Sequence, residues 1–242
     1  MYFLQQSNEK LAKGLLLSIG FLTPKKAKED LRIQSILGFL PKQPVFYRHR
    51  TLPSFLSDIE KAVPAIEDFL TFIEQSEFGP RIAQFQIIFR NSKKGVQKLK
   101  KKPSGLIQSA EQLEKEIEAA HAILNAFDNV QSKMNEELEK LDIEETVKIA
   151  TKMVKEAGFN VGSEQSPSVY KIKEWIIPVL SVTILATISV ALSSLLDPLE
   201  SITRYPDSEH RTPDQNNPYI LNFNGLHDVI RSILKKAKEI TG

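Results

Sequence analysis

From residue 175 to residue 196 the chain runs for 22 positions without a charged side chain. Fifteen are apolar, six are Ser or Thr (Ser181, Thr183, Thr187, Ser189, Ser193, Ser194), and one is Pro178. This run limits the fold more than any other feature, because a segment apolar on every side needs an interior that surrounds it. It reaches the roughly 20 residues that cross a bilayer core. Its twelve Leu, Ile and Val residues contribute roughly −4 to −7 kcal/mol toward insertion, opposed by the hydroxyl side chains and the proline. Tyr170, Trp175, Lys171 and Lys173 flank it on one side, and Asp197 and Glu200 on the other, an arrangement suited to a membrane interface. The expectation is one apolar, membrane-competent helix, with Trp175, Ile184, Ile188, Leu192 and Leu196 marking the membrane segment. The lysines place the bulk of the N-terminal part in the cytoplasm, although Arg204 and Arg211 weaken the topology rule from the far side.

The same run permits other fates. It suits a central helix buried all round by a bundle, and its β-branched residues (Val179, Val182, Thr183, Ile184, Thr187, Ile188, Val190) also suit a pair of buried strands. A further possibility combines burial and insertion: the helix is sheltered in one form and released into a bilayer in another. Ala186, Ser189, Ala191, Ser193 and Ser194 would then let copies of it pack closely.

The clearest periodicity lies upstream. Ala110, Leu113, Ile117, Ala120, Leu124, Phe127, Gln131, Met134, Leu138 and Leu141 follow one another in steps of three and four, a coiled-coil-like seam with one polar position. Ile123 and Val130 widen the stripe, which favours a multi-helix bundle over a lone two-stranded coil. The pattern extends through Val147, Ala150 and Val154 toward Gly158. Residues 111–145 hold eleven acidic and three basic side chains, a net of −8, whereas residues 80–102 hold eight basic and no acidic ones. The Pro103-Ser104-Gly105 turn between them predicts an antiparallel hairpin with complementary flanks. Exposed ion pairs contribute about 0.2–1 kcal/mol each, so they choose partner and register rather than hold the fold.

The fold class expected is mainly α: a helical bundle with a long coiled-coil-like hairpin and one apolar membrane-competent helix. Residues 1–50 form an N-terminal helical segment, with helices over 3–22 and 27–40. Residues 51–161 form the bundle and hairpin, in which Ser57 and Glu60 read as a capping box and Pro64 either kinks a helix or starts one. Residues 162–174 are a linker, 175–196 the apolar helix, and 197–242 a polar loop, from Tyr205 to Tyr219, followed by an amphipathic tail helix. In that tail Leu226, Val229, Ile230, Ile233, Leu234, Ala237 and Ile240 line one face, and Arg231, Lys235, Lys236 and Lys238 the other. Docking on the bundle is the first reading for it, and lying on an anionic membrane surface the second. Lys10 and Lys13 before an apolar stretch resemble the start of a leader, but no small-residue cleavage site follows, and none is expected to be removed.

Chemistry is sparse. The chain has no cysteine, which excludes disulfides, thiolate metal sites and a cysteine nucleophile. Nucleotide-binding glycine loops, a nucleophile elbow and a zinc-protease helix motif are all missing. His49, His121, His210 and His227 are scattered, so neither a metal nor a cofactor is implied. Arg204 and His210, separated by five residues, resemble the Arg…His pair of the HEPN ribonucleases. That resemblance implies a helical nuclease whose pair meets across a dimer, but Pro206 opposes a helix through the spacing. Lys93, Lys94, Lys98, Lys100, Lys101 and Lys102 form a cluster that could pair with the acidic helix, contact lipid headgroups or contact nucleic acid, in that order. With 32 basic and 30 acidic residues, overall charge selects no partner. The function expected is non-enzymatic: a membrane-associated protein that oligomerises or scaffolds through its hairpin, with membrane lipid and a second copy or another helical protein as partners. The alternatives are a triggered, membrane-permeabilising helical protein, and a soluble helical binding module or HEPN-like nuclease.

Overall fold

An apolar helix longer than its uncharged run is the element on which four of the other described helices pack. The structure is a computed structural model that describes residues 2–18, 24–25, 63–83, 109–142, 144–148, 169–204 and 216–241. Within 169–204 the side chains described are those of 177, 178, 180–193, 195 and 196. In chain order the helices are α1 (Tyr2–Ser18), α2 (Pro64–Gln75), α3 (Gly79–Ala83), α4 (Ala110–Lys140), α5 (Val169–Arg204), α6 (Pro218–Leu221) and α7 (Phe223–Thr241). Among the described residues there is no strand, so the run at 175–196 is helical and the paired-strand alternative is set aside.

Helix α1 lies along α5; α4, α7 and the short α3 also contact α5. Helix α2 packs on α4, and three contacts fix their direction. The Ala65 N–H donates to Glu137 Oε2 at 2.9 Å, the Phe69 and Phe127 rings lie 6.2 Å apart, and Arg81 of α3 forms a two-pronged ion pair with Glu116. As residue numbers rise on one helix they fall on the other, so α2 and α4 are antiparallel. Helix α7 runs parallel to α4, with Asn222 at Ala110, Gly225 against Ile117 and Lys236 at Asp128.

The helix ends follow from local chemistry. Pro64 occupies the first turn of α2, where its missing N–H costs nothing. Val63, at the N-cap, has no side-chain oxygen to offer, and the Glu137 carboxylate of α4 supplies the cap across the interface, with charge suited to a helix N-terminus. Ser109 caps α4 by accepting from Gln112 N at 3.1 Å. In the first turn of α4, Lys115 donates to Glu111 at 2.8 Å; that hydrogen bond, then the lysine's charge, holds the Glu111 carboxyl below its ordinary range. A depressed carboxyl supports the fold above its unfolded pKa and loses that support as pH falls through the folded value. Since the pair is fully exposed, its loss loosens only the first turn.

The stripe of α4 is buried as its periodicity requires: Leu113, Ile117, Ala120, Leu124, Phe127, Met134 and Leu138 are core, and Ile123 joins them. The helix nevertheless ends at Leu141 instead of continuing to Gly158. Asp142 is the reason, because its carboxylate accepts from Glu145 N at 2.7 Å and starts a separate helical stretch over 144–148. The expected hairpin partner is described only over Pro80–Ala83, so most of that pairing, together with helix 27–40 and the Ser57 capping box, lies outside the described residues. Helix α5 begins at Val169, inside the stretch assigned to a linker, and continues past residue 196 to Arg204. Helix α7 is docked on α4 and α5 through Leu226, Val229, Ile230, Ile233 and Ala237.

Two substitutions test this packing. Phe127 is 1 % exposed, and Phe127→Ala should lower unfolding free energy by about 3–5 kcal/mol in a denaturant titration. At Gly79 an added Cβ would lie 2.7 Å from the Ile73 carbonyl oxygen and closer still to that of Glu74. Gly79→Ala should therefore cost roughly 1–3 kcal/mol, the range for overpacking against atoms that cannot yield.

Candidate functional site: the enclosed apolar helix

The segment the sequence marks as special lies in the interior. Every described side chain of α5 between 180 and 192 is buried, as are Ile177, Leu195 and Leu196, while Pro178 faces solvent. Ile184, Ile188, Leu192 and Leu196 are all core residues. Trp175 lies on the backbone of the same helix. Among the described residues no helix is long and apolar enough to cross a membrane; the described side chains of α5 run unbroken only from 180 to 193.

Ser181, Thr183, Thr187 and Ser189 are buried with the apolar residues, and hydroxyls in such a setting need partners. Some bonds close within the helix. Thr187 Oγ1 donates to the Thr183 carbonyl at 2.9 Å, and Ser193 Oγ donates to that of Ser189 at 3.0 Å. Backbone-directed bonds of this kind satisfy the hydroxyl wherever the helix sits, in a protein core or in lipid.

Other bonds tie α5 to its neighbours. Asn8 of α1 has no exposed surface; its Nδ2 donates to the Ser189 carbonyl at 2.9 Å and to Ser193 Oγ at 2.8 Å. Its Oδ1 accepts from Ser189 Oγ at 3.0 Å. Tyr219 of α6 donates its hydroxyl to the Leu195 carbonyl at 2.9 Å. From α4, Gln131 Nε2 reaches Ser181 Oγ at 3.4 Å, a long contact. Three polar side chains on three elements thus hold α5 at separate points along its length. One buried oxygen breaks the pattern: Gln5 Oε1, one turn before Asn8, has no hydrogen-bond partner.

The sequence points to few of these grips. Gln131 stands out as the one polar member of its heptad stripe. Asn8 and Gln5 carry a weaker signal, as polar residues in phase with Leu4, Ala12, Leu15 and Leu16 on the buried face of α1. Tyr219, assigned to the end of a polar loop, is a core residue because Asn217 caps and Pro218 starts the short α6 that turns it inward.

The remaining candidates do not converge. No group of His, Cys, Asp or Glu able to hold a metal occurs among the described residues. His227 is exposed, stacked on Phe223 and 3.4 Å from Asp228; His121 is half-buried on α4. Lys93, Lys94, Lys98, Lys100, Lys101, Lys102, His49 and His210 lie outside the described residues, and Arg204 is the last residue of α5.

The grips make opposite predictions for two neighbours on α1. Gln5→Leu removes an unpartnered buried carbonyl and should raise stability by about 1–2 kcal/mol. Asn8→Ala leaves Ser189 Oγ without its partner and should lower it by about 1–3 kcal/mol in the same titration. The chain matches no known family model, no curated protein and no solved structure.

Proposed function

We propose that the protein is a non-enzymatic helical bundle that shelters α5 in its core and acts on membranes by delivering that helix to lipid. The observation that carries this reading is the enclosure of the uncharged run of α5, in which every described side chain from 180 to 192 is buried. Such a helix is apolar enough for a bilayer by sequence, and its internal hydroxyl bonds need no partner from another element. For α5 itself the exchange costs little, while the apolar faces of α1, α4 and α7 must then find cover against one another or at the bilayer surface. Each neutral grip is worth about 0.5–1.5 kcal/mol net, and the apolar burial that otherwise retains α5 in the bundle is replaced rather than lost when lipid tails surround it. Small residues along α5, Ala186, Ser189 and Ala191 among them, would then favour close association of inserted copies.

A permanently anchored scaffold fits less well, because an anchor helix faces lipid throughout, whereas every described side chain of 180–192 is buried against protein. The absence of converging catalytic groups among the described residues gives a nuclease reading no support.

The native lack of cysteine permits a direct test. Asn8→Cys/Ser193→Cys, placed where Asn8 Nδ2 donates to Ser193 Oγ at 2.8 Å, is the pair to join α1 to α5 by a single disulfide, its formation verified by thiol titration. With dye-loaded vesicles containing anionic lipid, at neutral and at mildly acidic pH, the reduced form should release dye and the oxidised form should not. Equal release from both forms, or none from either at both pH values, contradicts the proposal.

A further inference from the structure

The outer face of α6 and α7 is a surface that the docking of α7 leaves unexplained. Burial accounts for Leu226, Val229, Ile230, Ile233 and Ala237. At about 100° per residue, Phe223, His227, Arg231, Leu234 and Lys238 fall together on a different stripe, and all five are exposed. The apolar members are unusually open: Leu234 is 42 % exposed and Phe223 38 %, and Leu221, in the adjoining α6, is 60 % exposed. With Ile220 they make four of the seven large hydrophobic side chains that stand exposed among the described residues. Arg231 and Lys238 lie between and beyond them and form no ion pair among the described residues. Lys236 differs, being turned inward to Asp128 and over the Phe127 ring at 5.8 Å. Of the acidic groups nearby, Glu239 meets Lys235 at 3.8 Å, and Asp228 lies 3.4 Å from the His227 ring nitrogen.

We infer that this stripe is the surface by which the folded bundle docks on an anionic lipid bilayer, before α5 moves. The occupant follows from charge and shape together. Apolar side chains interleaved with unpaired cations on one helical stripe suit an interface of acyl chains under negative headgroups. Among the described residues the other large exposed charged surface, along α4, is largely acidic, so of the two this side is the one that approaches such a surface without repulsion. The inference rests on the membrane-acting reading for its choice of lipid, but docking and insertion are separate steps and fail separately.

Sedimentation of the full chain with phosphatidylcholine vesicles, with and without phosphatidylserine, tests it, using the oxidised Asn8→Cys/Ser193→Cys chain to exclude any contribution from α5. The chain should pellet only with the anionic vesicles. Arg231→Gln/Lys238→Gln should weaken binding roughly 25-fold, about fivefold per cation, and Phe223→Ser/Leu234→Ser roughly tenfold or more. Phe72→Ser, which removes an exposed phenylalanine on α2, should leave binding unchanged. Unaltered thermal melting of each variant ties the losses to the surface itself. Equal binding to neutral vesicles, wild-type binding by both double variants, or an equal loss with Phe72→Ser overturns the inference. So does a dimer in solution that Phe223→Ser/Leu234→Ser converts to monomer without vesicle binding by either form. Docking that persists while the reduced chain releases no dye would remove the insertion proposal and leave this one standing.

Discussion

A helix with no charge along 22 residues cannot face water on any side without exposing apolar surface, and the whole architecture depends on enclosing it. Helices α1, α3, α4 and α7 all touch α5, and their own apolar stripes are complete only because it is there. Conversely, α5 has no polar face of its own to define which way it should turn in the bundle. Hydrophobic burial is non-directional, so orientation falls to the polar side chains. Asn8, Gln131 and Tyr219 do this from three elements, each meeting a different turn of α5. Stability and registration are therefore carried by different residues, and the registering bonds are the weaker part.

The outer layer uses charge in a comparable way. Glu137 caps α2, Glu116 holds Arg81 and Asp128 holds Lys236, so acidic residues spaced along α4 position three neighbouring elements. The sequence predicts that the acidic helix pairs by charge with the basic segment 80–102; Arg81 at Glu116 is the described contact between the two, and most of that segment lies outside the described residues. Such pairs add little energy where water reaches them. Glu116 and Arg81 are the more enclosed pair, and removing either would leave the other charge poorly solvated.

How much of this is legible in the sequence depends on whether one interaction dominates. The span of α4 is readable because ten apolar or nearly apolar positions agree on one period, and Ser109 and Leu141 bound it closely. Its stop is not readable from hydrophobicity, since the period continues past Leu141 and only the side chain of Asp142 ends it. Proline geometry narrows Pro64 to a kink or a helix start, and the non-helical Val63 before it makes it a start; its cap is not readable, because Glu137 is 72 residues away. The helical state of α5 could be anticipated, but its surroundings could not: lipid and a protein core select the same composition. Asn8 is only faintly legible as a grip, because one polar residue on a helix face acquires meaning when its partner is known.

Hydrogen–deuterium exchange on the unmodified chain, followed helix by helix with and without anionic vesicles at mildly acidic pH, tests most directly whether α5 is held in store for lipid. In water alone the amides of 180–193 should be among the slowest to exchange. On adding vesicles they should remain slow, now shielded by lipid, while α1, α4 and α7 lose protection as the core they surrounded departs. Unchanged protection in every helix would show that α5 is only a core helix, and rapid exchange of 180–193 in water would show that it is not enclosed at all.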